Sequence, residues 1–227
     1  MQDARSLKKL GMAAIGIEIG GTKLQSAVVT SAGGILRRRA DRIDPAAGAA
    51  GIRGALAAQL AALVGEPLPE DLTIAAVGIG FGGPVDRSRG VVATSFHVSG
   101  WGDFPLVAWA RDQLTGVSAG LPVVLENDAN AAALGEACVG AGAGSRVVFY
   151  SNAGSGIGAG LVVVGRLYHG RHGGELELGH LRLASGGGIL ETLASGWALD
   201  RRVRAEVVAR PDGPLARAAA AAAPSAR

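Results

Sequence analysis

Cysteine is almost absent from the sequence, since Cys138 is the only one. No internal disulfide can therefore form, and none of the paired-cysteine zinc patterns can be built. Cys138 falls within an alanine-rich stretch of helical composition, where we expect an inert, buried thiol rather than a nucleophile. Neither a Cys-His pair nor a Ser-His-Asp arrangement is evident elsewhere in the sequence.

Aromatic residues, net charge and long apolar runs are also scarce. Aromatics make up 4% of the chain, too few for the stacking surfaces that bind single-stranded nucleic acid. The net charge of +3 is too small to indicate a DNA- or membrane-binding protein, and we interpret the basic groups at residues 8–9, 37–39 and 201–204 as solvated surface. No uninterrupted apolar run reaches the roughly 18 residues of a membrane span.

The N-terminal stretch lacks the features of a secretion signal. Lys8 and Lys9 precede an apolar segment, but Glu18 and the glycine pair after it interrupt that segment, and no A-x-A cleavage pattern follows. We therefore expect a cytoplasmic protein.

Glycine and aliphatic residues are, by contrast, abundant. The 37 glycines and the apolar content of 48% are typical of an α/β protein with many tight turns. Apolar runs predict strands at residues 14–18, 24–30, 35–38, 72–77, 91–94, 122–125, 147–151 and 161–164. Helices are predicted at residues 47–63, 104–114, 128–140 and, with a break at Gly196, about 190–209. Two glycine-turn hairpins, each starting an α/β half, indicate a duplicated unit around a cleft.

The segment LENDANAAALGE at residues 125–136 places Asn127 and Asp128 where a short strand meets an alanine-rich helix. At such a junction an α/β protein presents polar groups to a ligand beyond the strand ends. Asp128 would lie in the first helical turn, where the helix dipole favours its ionised form. The alternative is that Asn127 or Asp128 only caps the helix.

Glycine-rich segments elsewhere could approach phosphate groups closely. GGTK at residues 20–23 offers backbone N–H groups, a hydroxyl and a charge, although an ordinary hairpin turn explains it equally well. GIGFGG at residues 78–83 matches G-x-G-x-x-G, but Pro84 follows and no helix begins there, so we reject a Rossmann site. GSGIGAG at residues 154–160 is weaker, because alternating glycines also serve sheet turns.

Carboxylates and a histidine follow in the last third of the chain. Glu177 and His180 are three positions apart, so they share a helical face or line one loop. With no cysteine nearby, hydrogen bonding to a polyol is favoured over a metal site, and a structural histidine is the alternative. Glu191 is the next carboxylate, unless it is only a helix-surface acid.

Taken in order, these segments resemble the ROK family (repressors, open reading frames and sugar kinases). The motifs that carry the resemblance are IGIEIGGTK, GFGGPVD, LENDANAAALGE, SNAGSGIGAG, GGELELGH and ILETLASG. They resemble the family's first phosphate hairpin, sugar-side loop, catalytic segment, second phosphate loop, G-E-x-G-H sugar motif and the segment after its zinc loop. The resemblance implies an α/β, two-lobed actin-like ATPase (ribonuclease H-like) fold with a central cleft. A small lobe would span residues 1–126, and a large lobe, incomplete at its C-terminal end, residues 127–227.

The resemblance also implies a role for each matching residue of an ATP-dependent sugar kinase. Asp128 would be the general base that takes a proton from the sugar hydroxyl as it attacks the γ-phosphate. The sugar would be bound by Gly82, Gly83, Asn127, Glu177, His180 and Glu191. ATP and Mg²⁺ would be held by Glu18, Gly20, Gly21, Thr22, Lys23, Gly154, Ser155 and Gly156.

The sequence departs from the family pattern at several places. Glu18 stands where the family usually has Asp, one methylene longer beside the expected Mg²⁺. The zinc-loop cysteines are absent and residues 184–188 bridge the gap, so we expect no zinc and a His180 that is free to bind the sugar. The lead-in is too short for the helix-turn-helix domain of the family's repressors, so no nucleic-acid partner is expected. The chain also ends before the stretch that completes the large lobe.

The resemblance favours a glucokinase-like enzyme that acts on a hexose. An N-acetylhexosamine such as N-acetylmannosamine is the alternative substrate, and a sugar-binding ROK protein without turnover is the alternative function. A homodimer without a membrane partner is expected.

Overall fold

The computed structural model describes residues 11–95, 98–117, 120–171, 176–183 and 187–222. The chain groups into two compact units, which are Met1–Tyr150 with Gly160–Gly174, and Ser151–Ala159 with Glu175–Arg227. The boundary expected after residue 126 concerns the lobes of the family fold, and it stays a prediction.

The expected strands and helices are present, with ends that differ by a few residues. The strands are β1 (Gly11–Ile19), β2 (Lys23–Thr30), β3 (Ile35–Arg42), β4 (Leu72–Phe81), β5 (Val85–Asp86), β6 (Val91–Val92), β7 (Val123–Asn127), β8 (Val147–Ala153), β9 (Ile157–Val163) and β10 (Arg166–Leu167). The helices are α1 (Gly48–Gly65), α2 (Leu106–Gln113), α3 (Asp128–Val139), α4 (Leu190–Ala194), α5 (Gly196–Ala209) and α6 (Pro214–Ala222). Short 3₁₀ turns lie at Pro45–Ala47 and Leu178–His180.

The first unit is built on a five-stranded sheet with the order β3-β2-β1-β4-β7. β1, β2 and β3 form the expected antiparallel meander, whereas β4 lies parallel to both β1 and β7. Alternate residues of β1, including Ile15 and Ile17, are buried because successive side chains point to opposite faces of a strand. The parallel pairing of β4 with β7 places Phe81 directly opposite Asn127, so the two strands end together at one edge.

β4 runs further than the sequence predicted. The expected strand ended at Val77, but β4 continues through Phe81, into the glycine-rich GIGFGG segment. Gly78 and Gly80 are paired on both sides, with β1 and with β7. These two ladders hold the glycines in extended backbone, so the first half of this segment is a central strand rather than a loop.

α1 covers one face of the sheet with the predicted apolar stripe. Ile52, Leu56, Leu60 and Leu63 are all buried and belong to one core cluster. By length and composition alone, the stretch Pro45–Gly65, with a mean hydropathy of 1.4, could cross a membrane. Its buried stripe packs against β2 and β3, which is the behaviour of a core helix in a globular domain.

A buried polar residue also ties α1 to the sheet. Gln59 accepts a hydrogen bond from Ser26 Oγ at 3.1 Å, and its Nε2 donates to Asp41 Oδ2 at 2.6 Å. Because these polar groups are satisfied by one another, the helix packs on β2 and β3 in a single register.

Arg37, on the neighbouring strand β3, caps the C-terminal end of α1. From β3, its guanidinium donates to the carbonyl oxygens of Leu63 at 3.2 Å and Glu66 at 2.6 Å. Carbonyls in the last turn of a helix have no intrahelical partner, and a basic side chain satisfies them. The interpretation of residues 37–39 as solvated surface is therefore wrong for Arg37.

The second unit contains a glycine loop and short helices. Residues 154–156 connect β8 to β9, which are neighbours in a three-stranded sheet of order β10-β9-β8. The helix break expected at Gly196 is present. α4 ends at Ala194, and Ser195 caps α5 by accepting a hydrogen bond from the Ala198 N–H at 3.1 Å.

Cys138 is exposed, so the expectation of a buried thiol is wrong. α3 turns Ala129 and Ala133 into the interior. Cys138 comes five positions after Ala133, which places it about 140° further around a helix that turns ~100° per residue. Its side chain therefore points away from the packed face.

The glycines of α1 give a matched pair for a stability test. Gly54 is exposed, and nothing lies within 4 Å of the position that its Cβ would take. Gly54→Ala should raise the free energy of unfolding by roughly 0.5–1 kcal/mol, because alanine loses less backbone freedom on folding. In the control, Gly51→Ala, the new Cβ would lie 2.5 Å from Ala47 Cβ, so it should not stabilise. Urea denaturation measures both, and equal stabilisation by the two would contradict the described packing of Ala47.

Candidate active site

The junction of β7 and α3 presents the Asp128 carboxylate. Asn127 caps α3, its Oδ1 accepting hydrogen bonds from the N–H groups of Ala129 at 3.0 Å and Asn130 at 3.1 Å. The capping interpretation is therefore confirmed for Asn127. Asp128 Oδ1 accepts a further bond from the Ala129 N–H at 2.8 Å, so this oxygen is held at the positive end of the helix.

Glycines from two other segments lie against Asp128. A Cβ at Gly82 would be 3.2 Å from Asp128 Oδ2 and 3.3 Å from the Gly20 Cα, and a Cβ at Gly80 would be 3.4 Å from the Asp128 Cα. The Gly82 N–H donates to the Ile19 carbonyl at 2.8 Å, which joins the end of β4 to the end of β1. Asp128 Oδ2 and the Gly20 Cα therefore both lie close to the Gly82 backbone, and a side chain at Gly82 would crowd both of them.

Glu18 lies beside the same glycine turn. A Cβ at Gly20 would be 3.8 Å from Glu18 Oε1. On the opposite strand Gln25 pairs directly with Glu18, and its Nε2 donates to Glu18 Oε2. Glu18, Lys23, Gln25 and others line a depression of about 390 Å³ in this part of the first unit. The sequence did not single out Gln25, because the cross-strand register that makes it a partner of Glu18 follows from the tight turn between β1 and β2.

The Gly20–Lys23 turn is itself simple. The Gly20 N–H donates to the Lys23 carbonyl at 2.9 Å, and Thr22 and Lys23 are exposed. The turn therefore closes a β-hairpin, which agrees with the interpretation of GGTK as an ordinary hairpin turn. The Thr22 hydroxyl and the Lys23 ammonium lie on the surface. A hairpin turn and a phosphate cradle are compatible, since the predicted cradle needs exposed donors at such a turn.

The sugar-side segment GFGGPVD continues from β4 into a tight turn. A Cβ at Gly83 would be 3.1 Å from the Phe81 ring, and Phe81 packs edge-on against the buried Trp101 at a centroid distance of 5.2 Å. Asp86 Oδ1 accepts hydrogen bonds from the Ser88 hydroxyl at 2.6 Å and the Arg89 N–H at 3.0 Å. These bonds, the Ser88 hydroxyl first, hold the pKa of Asp86 below its ordinary value.

Sequence reasoning missed a cluster of three side chains behind Asn127. Glu126 Oε1 accepts from the Asn127 N–H at 2.9 Å and from Asn130 Nδ2 at 3.1 Å. Its Oε2 lies 2.8 Å from His169 Nε2 and 3.6 Å from Arg87 Nη1. Glu126 thus fixes the strand-to-helix junction that carries Asp128. His169 and Arg87 come from distant parts of the chain, so no local pattern indicated them as partners of Glu126.

In the second unit, the glycine loop is attached to the α4–α5 corner. The Gly154 carbonyl accepts the Gly196 N–H at 2.8 Å, and the Ser155 carbonyl accepts the Trp197 N–H at 3.3 Å. Glu191 Oε2 accepts the Ile157 N–H at 2.8 Å. Glu191 is therefore not only a helix-surface acid, because one of its oxygens is bound to the loop.

Glu177 and His180 lie on one turn of the second unit. The 3₁₀ turn Leu178–His180 brings His180 Nδ1 to 3.9 Å from Glu177 Oε2, and both side chains are about half exposed, at 52% and 51%. Polar atoms that are exposed together in this way are available to a ligand with hydroxyl groups. The preceding residue, Leu176, has a φ of 65°, a left-handed conformation that is unfavourable for leucine.

No group of three or more His, Cys, Asp or Glu side chains gathers in a way that could hold a metal ion within residues 11–95, 98–117, 120–171, 176–183 and 187–222. Residues 184–186 of the segment that replaces the zinc loop lie outside the described part of the chain. The expectation that zinc is absent therefore stays a prediction from sequence.

Comparison with known proteins identifies the family. The model of the ROK family matches residues 14–225. The chain belongs to the ROK family. The predicted family and its α/β actin-like ATPase fold are therefore confirmed, because the structural neighbours are ROK sugar kinases with that fold.

Individual ROK relatives are glucokinases and other sugar kinases. A glucokinase of Streptomyces coelicolor is 36% identical over 207 residues, which are 87% of this chain and 61% of the relative. A ROK family glucokinase from Streptomyces griseus, in complex with glucose and AMPPNP, is 36% identical with a TM-score of 0.74, over 88% of this chain and 62% of that one. A protein of Listeria monocytogenes described as a putative N-acetylmannosamine kinase is 27% identical with a TM-score of 0.67. That match covers 91% of this chain and 66% of the Listeria protein. The chain thus spans about three fifths of the length of these glucokinases.

The conformation of Leu176 gives a test of local strain in this ROK protein. Leu176 takes the place of the first glycine of the G-E-x-G-H motif. Leu176→Gly should increase stability by about 1 kcal/mol, because glycine adopts a positive φ without the steric cost to other residues. Leu181→Gly is the control, since Leu181 is an exposed leucine five positions later with a φ of −63°, so the protein should be destabilised by this change. Thermal denaturation distinguishes the two, and a stability loss in Leu176→Gly as large as in the control would contradict the strain.

Proposed function

We propose that this ROK protein transfers the γ-phosphoryl group of ATP to a hydroxyl of a hexose, as a glucokinase-like enzyme. The observation that carries the proposal is the position of Asp128, whose Oδ2 lies against the backbone of Gly82 just after β4, where the Gly20 turn after β1 also approaches. A carboxylate placed between a phosphate-type turn and a sugar-type loop is where a kinase needs its base. The relative with glucose and AMPPNP is similar over most of this chain, which supports the same reaction.

Asp128 acts as the general base in this proposal. Its Oδ1 accepts the Ala129 N–H, which orients the carboxylate at the start of α3, and in this proposal the carboxylate takes the proton of the attacking sugar hydroxyl. The sugar oxygen bonds to the γ-phosphorus, the bond from that phosphorus to the β,γ-bridging oxygen breaks, and ADP leaves with the electron pair. The reaction depends on positioning more than on covalent help from the protein, which explains why Asn127 and Glu126 fix the start of α3 so thoroughly.

The residues of the second unit bind both substrates in this proposal. Glu177, His180 and Glu191 hydrogen-bond the sugar hydroxyls in this proposal. In the first unit, the resemblance assigns the same role to Asn127, Gly82 and Gly83. The half-exposed pair of Glu177 and His180 supports this role, because a carboxylate and an imidazole together can accept from and donate to adjacent hydroxyls. The loop Gly154, Ser155 and Gly156 binds nucleotide phosphates in this proposal. In the first unit, the resemblance assigns phosphate binding to Gly20, Gly21, Thr22 and Lys23.

The arrangement at Glu18 fits Mg²⁺. Its carboxylate is an oxygen ligand of the kind that Mg²⁺ prefers, and Oε1 lies beside the Gly20 turn while Gln25 holds Oε2. When bound with ATP, Mg²⁺ would be held on the protein side by Glu18 and would supply positive charge against the negative charge of phosphoryl transfer. The hydrogen bond from Gln25 restrains the longer side chain that stands in place of the family's aspartate.

Glucose is the substrate we favour. The glucokinases are 36% identical to this chain, whereas the putative N-acetylmannosamine kinase is 27% identical. We further propose that the protein works in the cytoplasm as a homodimer, without zinc and without a nucleic-acid partner.

Replacing the base tests the proposed reaction. Asp128→Asn should lower kcat by at least about a hundredfold, the range that general base catalysis contributes, while glucose affinity changes little because the amide keeps the shape. Asp112→Asn, on the surface of α2, is the matched control and should keep full activity. ADP release from ATP–Mg²⁺ with a panel of hexoses and N-acetylhexosamines gives the rates, and calorimetry gives the sugar affinity. A fully active Asp128→Asn would refute the base, and glucose binding without turnover in the unmodified protein would refute the kinase.

The close approach at Gly82 gives a second test. Gly82→Ala should lower kcat by up to about tenfold, because the new Cβ would displace the Asp128 carboxylate by a few tenths of an ångström, less than the ~1 Å misplacement that can cost about a hundredfold. Gly78→Ala on β4 is the control, since nothing lies within 4 Å of its Cβ position. The kcat of the two variants is compared, with thermal denaturation to show that both are folded. Equal rates would show that the backbone at residue 82 does not set the position of Asp128.

A further inference from the structure

One oxygen of Glu191 is the meeting point of three segments of the second unit. Glu191 lies in the first turn of α4, and its Oε2 accepts the Ile157 N–H at 2.8 Å. A Cβ at Gly156 would lie 2.5 Å from this oxygen, and a Cβ at Gly179 would lie 3.1 Å from it. Gly156 belongs to the loop proposed for nucleotide phosphates, and Gly179 to the motif proposed for the sugar.

The glycine loop and the sugar motif also touch each other directly at this point. A Cβ at Gly179 would lie 2.6 Å from the Ile157 carbonyl, so that any side chain at residue 179 would push the loop away. The Ile157 N–H thus donates to the Glu191 carboxylate, and the Ile157 carbonyl lies against the backbone of the motif that carries Glu177 and His180. The two glycines are needed here because they let the backbones close around the carboxylate.

The α4–α5 corner holds the loop at its other end. The Gly196 N–H binds the Gly154 carbonyl at 2.8 Å, and the Ser195 N–H returns to the Glu191 carbonyl at 3.2 Å. Ser195 is buried, and its hydroxyl caps α5. The loop from Gly154 to Ile157 is therefore attached at both ends to one short helical corner, and Glu191 supplies the side-chain attachment.

We propose that Glu191 is a positioning residue for the nucleotide loop as well as a sugar contact, so that it couples the two substrates. This inference rests on the proposed function. Oε2 is committed to the Ile157 N–H, and Oε1 is the oxygen that a sugar hydroxyl would meet. A sugar bound to Oε1 fixes the rotamer of the Glu191 side chain. Because Oε2 accepts the Ile157 N–H, the same rotamer fixes the position of the nucleotide loop. The sugar then raises nucleotide affinity, and the nucleotide raises sugar affinity by the same factor, as linkage requires.

Nucleotide affinity in the absence of sugar distinguishes this positioning role from simple sugar binding. If Glu191 only touched the sugar, its removal would leave nucleotide affinity unchanged when no sugar is present. Because its Oε2 orders the loop, Glu191→Ala should weaken nucleotide binding even then. Glu191→Gln keeps a carbonyl oxygen that can accept the Ile157 N–H, so it should preserve the loop while altering the sugar contact.

The experiment measures AMPPNP–Mg²⁺ binding by calorimetry, with and without saturating glucose, on the full chain. Without glucose, Glu191→Ala should raise the Kd by about tenfold, as expected for the loss of a charge-assisted hydrogen bond, while Glu191→Gln should stay within about threefold. His180→Ala is the matched control, because it should weaken glucose but leave the Kd for AMPPNP without glucose unchanged. Hydrogen exchange of the Ile157 amide adds a ligand-free readout, and it should quicken in Glu191→Ala but not in His180→Ala.

The outcomes separate this inference from the proposed function. If the unmodified protein and Glu191→Ala bind AMPPNP with the same Kd, and hydrogen exchange at Ile157 is unchanged, the coupling is overturned and the kinase proposal stays in place. A failure of the unmodified protein to bind AMPPNP at all would overturn both the coupling and the nucleotide half of the proposed function. A tenfold loss in Glu191→Ala together with an unaltered His180→Ala would establish Glu191 as the link.

Discussion

The close packing of the Gly82 backbone against Asp128 is the constraint on which the first unit depends. A Cβ at Gly82 would crowd Asp128 Oδ2, the Gly20 Cα and the Ile19 carbonyl at once, and Gly80 in β4 packs against the Asp128 Cα. This contact requires β4 to be paired on both sides, so that its end is carried to the ends of β1 and β7. It also requires α3 to begin directly after β7, which the Asn127 cap and the Glu126 carboxylate secure. The carboxylate is placed by main chain, which is more rigid than side-chain packing.

Much of this arrangement follows from local patterns in the sequence. The period of apolar residues predicted α1, because a helix that covers a sheet needs its apolar side chains on one face, and Leu56 and Leu60 are fully buried there. The glycine turn after β1 and the break before α5 were also predictable, since glycine at a turn and Ser195 before a helix act over a few residues. Asp128 was found because its segment occurs in order with the other motifs that resemble the ROK family, since an Asp at the start of a helix is by itself commonly only a cap.

The remaining features depend on contacts between residues far apart in the chain. Glu126 meets His169 and Arg87 only after the sheet has formed, so none of the three has a local signal. The extension of β4 was missed because a glycine-rich segment predicts a loop when the strands that pair with it on both sides are unknown. The exposure of Cys138 depends on which side of α3 faces the sheet, and composition alone does not give the rotation of an alanine-rich helix. Glu191 was assigned to the sugar, but its bond to Ile157 became visible only with the loop in place.

The position of β3 has a consequence for solubility. β3 forms an edge of the five-stranded sheet, where unpaired backbone groups could recruit a strand from another molecule. Arg37, Arg38 and Arg39 follow one another there, so two such edges would bring like charges together at close range. Arg37 is tied to the end of α1 and Arg39 is paired with the Glu66 carboxylate, yet one carboxylate does not neutralise three guanidinium groups, so the edge stays cationic. A strand that helps to close the core thus also protects the folded protein against edge-to-edge aggregation.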